Sequence, residues 1–140
     1  MPETKPRLTL EQERMKVAYD TTKSAIDPAG ETKASKDDWK NVVMPFGTSV
    51  QRSGLLQAIA FLQRETDKGT LAVARKELLK TLRKHLVDRG FLLGGDATGE
   101  LLDIAGRLDA SKYMFVTREV LAISIWYKRA AQALCGDDAK

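Results

Sequence analysis

Between Leu8 and Ile26 the apolar positions Leu8, Met15, Ala18, Thr22, Ala25 and Ile26 recur at spacings of three, four and seven, the signature of one helical face. Thr9 is placed to cap the start. Asp27-Pro28-Ala29-Gly30 ends the helix, because proline disfavours helical geometry in the residue before it and glycine accepts the turn. A polar stretch follows, and residues 27–35 are expected to be a loop. Ser35 then suits an N-cap, with Asp37 and Asp38 in the first turn where the helix dipole favours anions. Trp39, Val42, Val43 and Phe46 give this second helix its apolar side. Pro45 lacks the amide donor that a continuous helix needs, so it must kink the helix or restart it. Ser53-Gly54 marks the next break, with Ser53 read as an N-cap. Leu55, Leu56, Ile59, Ala60, Phe61 and Leu62 cover so much of the circumference that the following helix is predicted to be buried on most sides.

After Thr66-Asp67-Lys68-Gly69 the pattern turns cleanly amphipathic. From about Thr70 to Arg89, Leu71, Ala74, Leu78, Leu79, Leu82 and Leu86 share one side. Lys76, Lys80, Arg83 and Lys84 share the other, over an arc of roughly 100°. Gly90 closes that helix. Residues 94–99, GGDATG, are expected to be a flexible connection into a short helix around Glu100 to Arg107. Asp109 or Ser111 opens a long last helix that reaches about Leu134 and is closed by Gly136. In it Val116, Val120, Ile123, Tyr127, Ala130 and Leu134 form one stripe with Tyr113. Met114, Leu121 and Ile125 form a second, and Phe115, Ala122 and Trp126 a third. A helix apolar nearly all round is either the centre of a bundle or partly covered by another subunit.

No segment alternates as a half-buried strand does, and there is no internal repeat. The expectation is an all-α chain: a single helical bundle of about six helices over residues 1–140, the second helix interrupted at a proline, with 1–7 and 136–140 frayed. At 140 residues the chain is long enough for one such core, and no composition shift divides it.

Composition narrows the chemistry. No apolar run approaches the roughly 20 residues of a membrane span. The amino terminus lacks a secretory profile and Cys135 is the only cysteine, which points to a cytoplasmic protein with no membrane partner. One histidine and one cysteine leave no usual His/Cys zinc set, so no metal and no cofactor are expected. His85 sits among lysine and arginine with no nucleophile and orienting third group, and reads as a partly exposed helix histidine. LLGGDATGE lacks the preceding strand and the lysine-serine/threonine end of a phosphate-binding loop. Nothing supports an enzyme or a small-molecule substrate.

The formal charge of +4 is unevenly spread. Residues 1–67 carry ten basic and ten acidic groups, whereas 68–93 carry seven against two, 94–110 one against four, and 111–135 four against one. The surplus therefore gathers on the fourth and last helices, where a row of cations can track a polyanion backbone without reading bases.

Three stretches together carry a family resemblance: PFGTSVQRSGLLQAIAFLQRE (Pro45 to Glu65), the single Tyr113, and TREVLAISIWYKRAAQAL (Thr117 to Leu134). They resemble the small, all-helical subunit of the Cmr complex, the type III-B CRISPR effector. Members of that family carry a proline in the second helix, a polar-Gly-Leu step, an Ala-Phe-Leu run, and a last helix reading approximately Tyr-x-x-x-Thr-x-Glu-x-Leu, then Trp-hydrophobic-Lys-Arg. Here Ser53-Gly54-Leu55 stands where the family often has Asn-Gly-Leu. The resemblance spans about Trp39 to Leu134. It implies a non-catalytic subunit that stacks in several copies along a filament and lines the path of target RNA. Its implied partners are a crRNA-bearing backbone subunit, a large subunit, further copies of itself, crRNA and target single-stranded RNA.

Under that resemblance the basic residues Lys76, Lys80, Arg83 and Lys84 are candidate RNA-backbone contacts. Arg52, Arg118, Lys128 and Arg129 would extend the row if their helices pack beside the fourth, and Arg83 or Arg129 could fork a phosphate. Gly54 is expected to let two apolar helices meet at a tight turn. Glu119, amid apolar neighbours, should find an arginine or a backbone donor. The aromatics Trp39, Phe46, Phe61, Phe91, Phe115 and Trp126 read as core, with Trp126 given a structural role. The alternatives are a purely structural scaffold subunit whose basic stripe meets acidic protein surfaces, and a stand-alone helical binding module.

Overall fold

The computed structural model describes residues 8–30, 34–63 and 70–136. Of the expected frayed ends at 1–7 and 136–140, all but Gly136 lie outside the described residues, as do the centre of the 27–35 loop and the break at Thr66 to Gly69. Within them the chain forms α1 (Leu10–Ile26), α2 (Lys36–Val43), α3 (Phe46–Ser53), α4 (Leu55–Leu62), α5 (Thr70–Asp88), α6 (Leu101–Arg107) and α7 (Ala110–Leu134). A 3-10 turn spans Gly94–Ala97, and no strand occurs among the described residues. Taking α2 and α3 as two halves of one interrupted helix, this is the all-α bundle of six helices that the periodicity predicts. Among the described residues, no helix is long and apolar enough to cross a membrane.

Local chemistry sets the helix starts. Thr9 and Gln12 form a reciprocal cap, the Thr9 Oγ1 accepting from the Gln12 amide at 3.1 Å and the Gln12 Oε1 from the Thr9 amide at 2.7 Å. Ser35 caps α2 through the Asp38 amide, and Asp109 caps α7 through the Lys112 amide. Pro45 sits at the head of α3, where its missing donor would have no intrahelical partner.

Ser53 is not an N-cap. It is the last residue of α3, and Gly54 both closes α3 and opens α4 at φ 89°, ψ 163°, a conformation that side chains with a Cβ rarely reach. Glycine supplies no capping oxygen, so the cap comes from elsewhere in the chain. The Tyr113 hydroxyl of α7 accepts a hydrogen bond from the Leu56 amide at 3.1 Å. α4 is also less buried than predicted. Leu55, Ala58, Ile59 and Leu62 face the core, while Leu56 and Phe61 stand in the open and the Arg75 guanidinium lies 4.6 Å over the Phe61 ring. An eight-residue helix at the bundle's edge has neighbours on one side only, whatever its composition.

α7 packs on α1, α2 and α3, whereas α5 packs chiefly on α2, with α1 and α4 beside it, and α6 lies against α4. Trp39 of α2 joins these groups. It is fully buried, meets Tyr127 of α7 edge-on at 6.3 Å, and donates from Nε1 to Thr22 of α1 at 3.1 Å. The Tyr127 hydroxyl continues to Thr81 of α5 at 3.0 Å, and burial pushes the pKa of this phenol up to about 12. Four helices are thus tied through the apolar interior by two hydrogen bonds and one edge-on ring contact. α3 and α7 approach closely at Gly47, where a Cβ would lie 2.6 Å from the Ser124 Oγ.

Candidate nucleic-acid interface

The lysine row on α5 exists as a surface. Lys76, Lys80 and Lys84 are exposed on the side opposite the buried Ala74, Leu78, Leu82 and Leu86, one turn apart and so about 6 Å per step along the axis. Lys84 is bridged to Asp88 at 2.6 Å. Lys76 and Lys80 have no ion pair among the described residues. Together with Arg83 they line a groove of about 730 Å³ whose other walls come from Leu62, Leu79 and the Gly99–Leu101 segment.

Arg83 faces the groove but is already engaged. Its Nε donates to the Gly99 carbonyl at 2.7 Å and its Nη2 to the Ala97 carbonyl at 2.6 Å. From the other side, Arg107 Nη2 donates to the Gly95 and Thr98 carbonyls at 2.6 Å each. The segment expected as a flexible connection is therefore a 3-10 turn held by two guanidinium groups. A planar donor fork suits paired carbonyls as well as phosphates, and the composition of GGDATG does not reveal it.

The remaining candidates fall elsewhere. Arg52 is exposed at the end of α3; Arg118, Lys128 and Arg129 are exposed on α7, with the Arg129 guanidinium 5.1 Å over the Trp126 ring. α5 and α7 touch through their inward sides, Thr81 on Tyr127 and His85 on Glu119. None of Arg52, Arg118, Lys128 and Arg129 lines the groove that Lys76, Lys80 and Arg83 share. Phe115 departs from its expected core position: it is 57% exposed and half-stacks on Phe91 at 5.1 Å. Trp126 is half-buried, and Trp39 and Phe46 are core residues as expected.

The polar centre that the sequence half-disclosed is buried. Glu119, 2% exposed, accepts from Arg14 Nε at 2.9 Å and Nη2 at 2.5 Å, and pairs with His85 Nε2 at 2.7 Å. Glu119 finds its arginine, but His85 is not the partly exposed residue expected; it is 3% exposed, with Phe91 stacked beside it. The signal was available. Counting 100° per residue, position 85 falls on the helical wheel between Ala74 and Leu78, inside the apolar arc. Burial alone would raise the pKa of the Glu119 carboxyl, but the hydrogen bonds from His85 and Arg14 outweigh it and hold the group below its ordinary value of 4.5. The same hydrogen bond raises Arg14. Among the described residues no group of His, Cys, Asp and Glu could hold a metal ion.

This constellation holds helices together, with Glu119 accepting from Arg14 and paired with His85, while the outward side of α5 carries positive charge. The family model for the CRISPR-associated protein Cas_Cmr5 matches residues 10–134, from the first residue of α1 to the last of α7. The chain belongs to the Cas_Cmr5 family. A relative from Thermus thermophilus, described as the CRISPR system Cmr subunit Cmr5, is 31% identical over 117 residues, covering 84% of this chain and 88% of the relative. The crystal structure of a CRISPR-associated Cmr5 family protein from the same organism superposes with a TM-score of 0.68 at 27% identity, covering 91% of this chain and 98% of that one. The family match thus takes in both the α5 row and the buried Arg14–Glu119–His85 centre.

Proposed function

We propose that this Cas_Cmr5 family chain is a non-catalytic small subunit of a type III-B CRISPR Cmr complex. In this reading it stacks in further copies beside the backbone and large subunits and contacts RNA backbone through α5. The observation that carries the RNA contact is the pair Lys76 and Lys80, exposed one turn apart on the rim of a groove and free of any ion pair among the described residues. Such a pair neutralises successive phosphates of target RNA or crRNA and reads no base, which suits a subunit that must accept any guide or target. Arg83 keeps one face toward the groove while it holds the 94–99 turn, so it positions the wall as well as adding charge.

The test is the doubly reversed chain, Lys76→Glu with Lys80→Glu, reconstituted into the complex and titrated with single-stranded target RNA over a range of salt. Two lost phosphate contacts lower the slope of log K against log salt by about 1.4. Reversal of Arg118 and Arg129 on α7 leaves that slope in place. An unchanged slope in the α5 variant overturns the RNA contact and leaves the scaffold reading. One observation favours a scaffold role for another part of the molecule: the outward side of α7 exposes three large apolar side chains.

A further inference from the structure

Helices α1 and α5 run antiparallel, since Glu13 meets Arg89 at one end of their seam while Thr21 and Thr81 both bond the Tyr127 hydroxyl at the other. Between those ends they part around a cleft of about 370 Å³, toward the small end of ligand sites. It shares no residue with the groove that Lys76, Lys80 and Arg83 line. Leu8 and Val17 supply apolar wall, and the aliphatic stems of Lys16, Lys84 and Arg89 extend it. The charged heads are all paired: Lys16 with Asp20 at 3.0 Å, Lys84 with Asp88 at 2.6 Å, and Arg89 with Glu13 at 3.1 Å. All six of these groups line the cleft, so its charges balance.

One polar group in the cleft is left over. His85 lines it while only 3% exposed, its Nε2 2.7 Å from Glu119. Glu119 is ionised and can only accept, so Nε2 carries the proton, and in the neutral imidazole Nδ1 keeps a lone pair. Nδ1 has no hydrogen-bond partner among the described residues, yet it is not sealed in the core. The cleft is the opening that reaches it. Arg14 and Glu119 hold the ring from behind, so the acceptor is fixed in place before anything binds.

We propose that this cleft is a binding site for a neutral aromatic group with one hydrogen-bond donor, a phenol or an indole, whose O–H or N–H reaches His85 Nδ1 while the ring lies against Leu8 and Val17. Each feature selects against an alternative. The balanced ion pairs give an ionic ligand no net attraction, the single acceptor selects a donor, and a rigid ring brings apolar area with few rotors to freeze. The same chemistry can arrive as a free small molecule or as the tyrosine or tryptophan side chain of a neighbouring subunit. The site is independent of the RNA contact on α5.

The test titrates the purified full chain with 4-fluorophenol, followed by its fluorine resonance. Saturable binding with a Kd of about 1 mM or lower is expected, and 4-fluoroanisole, which keeps the ring and loses the donor, should bind about tenfold more weakly. Val17→Phe, which fills the cleft and leaves the Glu119 centre intact, should weaken 4-fluorophenol about tenfold or more. His85→Phe removes the acceptor and should bring the two ligands to equal affinity; where that chain fails to fold, Val17→Phe decides alone. Equal binding of the two ligands by the wild-type chain, no saturation below about 10 mM, or unchanged binding in Val17→Phe overturns the proposal. Repeating the titration with the chain assembled in a Cmr complex separates the two sources: a cleft still open there takes a free molecule, and a cleft already filled holds a partner's aromatic side chain.

Discussion

Replacing Glu119 by alanine removes the acceptor for both Arg14 donors and for His85 Nε2 in one step. Taking one partner from a buried charged pair destabilises by about 3–5 kcal/mol, chiefly because the other partner is left buried without a counter-charge. His85, 3% exposed, has no route back to water, but the Arg14 side chain is 21% exposed and rehydrates in part. That places the loss near the lower end, at about 3 kcal/mol. With an unfolding entropy of roughly 2.1 cal/mol/K per residue, a chain of 140 residues loses about 10 °C of Tm. Differential scanning calorimetry at pH 7 reads this directly, and because the pair is shielded from solvent the shift persists in high salt. Glu119→Gln, which keeps an oxygen for Arg14, is expected to lose about half as much. The proton linkage has a definite sign. The folded carboxyl lies below its ordinary value of 4.5, so its contribution is complete above that value and disappears as pH falls through the lower folded one. Wild-type stability should therefore drop on acidification below the usual carboxylate range, and the Gln variant should show a shallower fall there. A Tm change under about 3 °C for Glu119→Ala would refute the claim that this centre holds α1, α5 and α7 together.

Gly54→Ala forces a Cβ onto φ 89°, ψ 163°, and is expected to destabilise by about 1–3 kcal/mol in chemical denaturation, with no loss of α5 lysine exposure to acetylation. Tyr113→Phe deletes the hydroxyl that caps α4, at about 1 kcal/mol, and should accelerate hydrogen exchange at the Leu56 amide. Gly47→Ala pushes against the Ser124 hydroxyl and breaks its bond to the Leu121 carbonyl; in a Ser124→Ala background the same change should cost measurably less, by a thermal double-mutant cycle.

What the sequence disclosed follows how local each cause is. The α5 wheel, the Thr9, Ser35 and Asp109 caps and the stop at Asp27-Pro28 depend on neighbours a few residues away, and all are visible in the pattern. The lone carboxylate of α7 announced a partner, but not that Arg14, 105 residues away, would supply it. Gly54 was legible as a turn. Its cap was not, because Tyr113 comes to it from another helix. For the candidate interface, the lysine row could be read from periodicity alone. The engagement of Arg83 and the absence of the α7 cations from its groove could not, since both depend on how helices cross rather than on how they are written. Phe115 and Phe61 stand outside the core for the same reason: apolar content shows that a side chain prefers cover, not that this chain provides it.

Helix α1 packs most extensively against α7, with Arg14 beside Glu119 and Trp39 tying Thr22 to Tyr127. α1 thus completes its packing only when α7 is in place. Before α7 docks, α1 lacks its most extensive contact, and the chain carries a partly uncovered seam that a chaperone could recognise. A helical protein would ordinarily close early through local contacts, but this one defers completion to contacts as distant in sequence as Arg14 with Glu119, 105 residues apart.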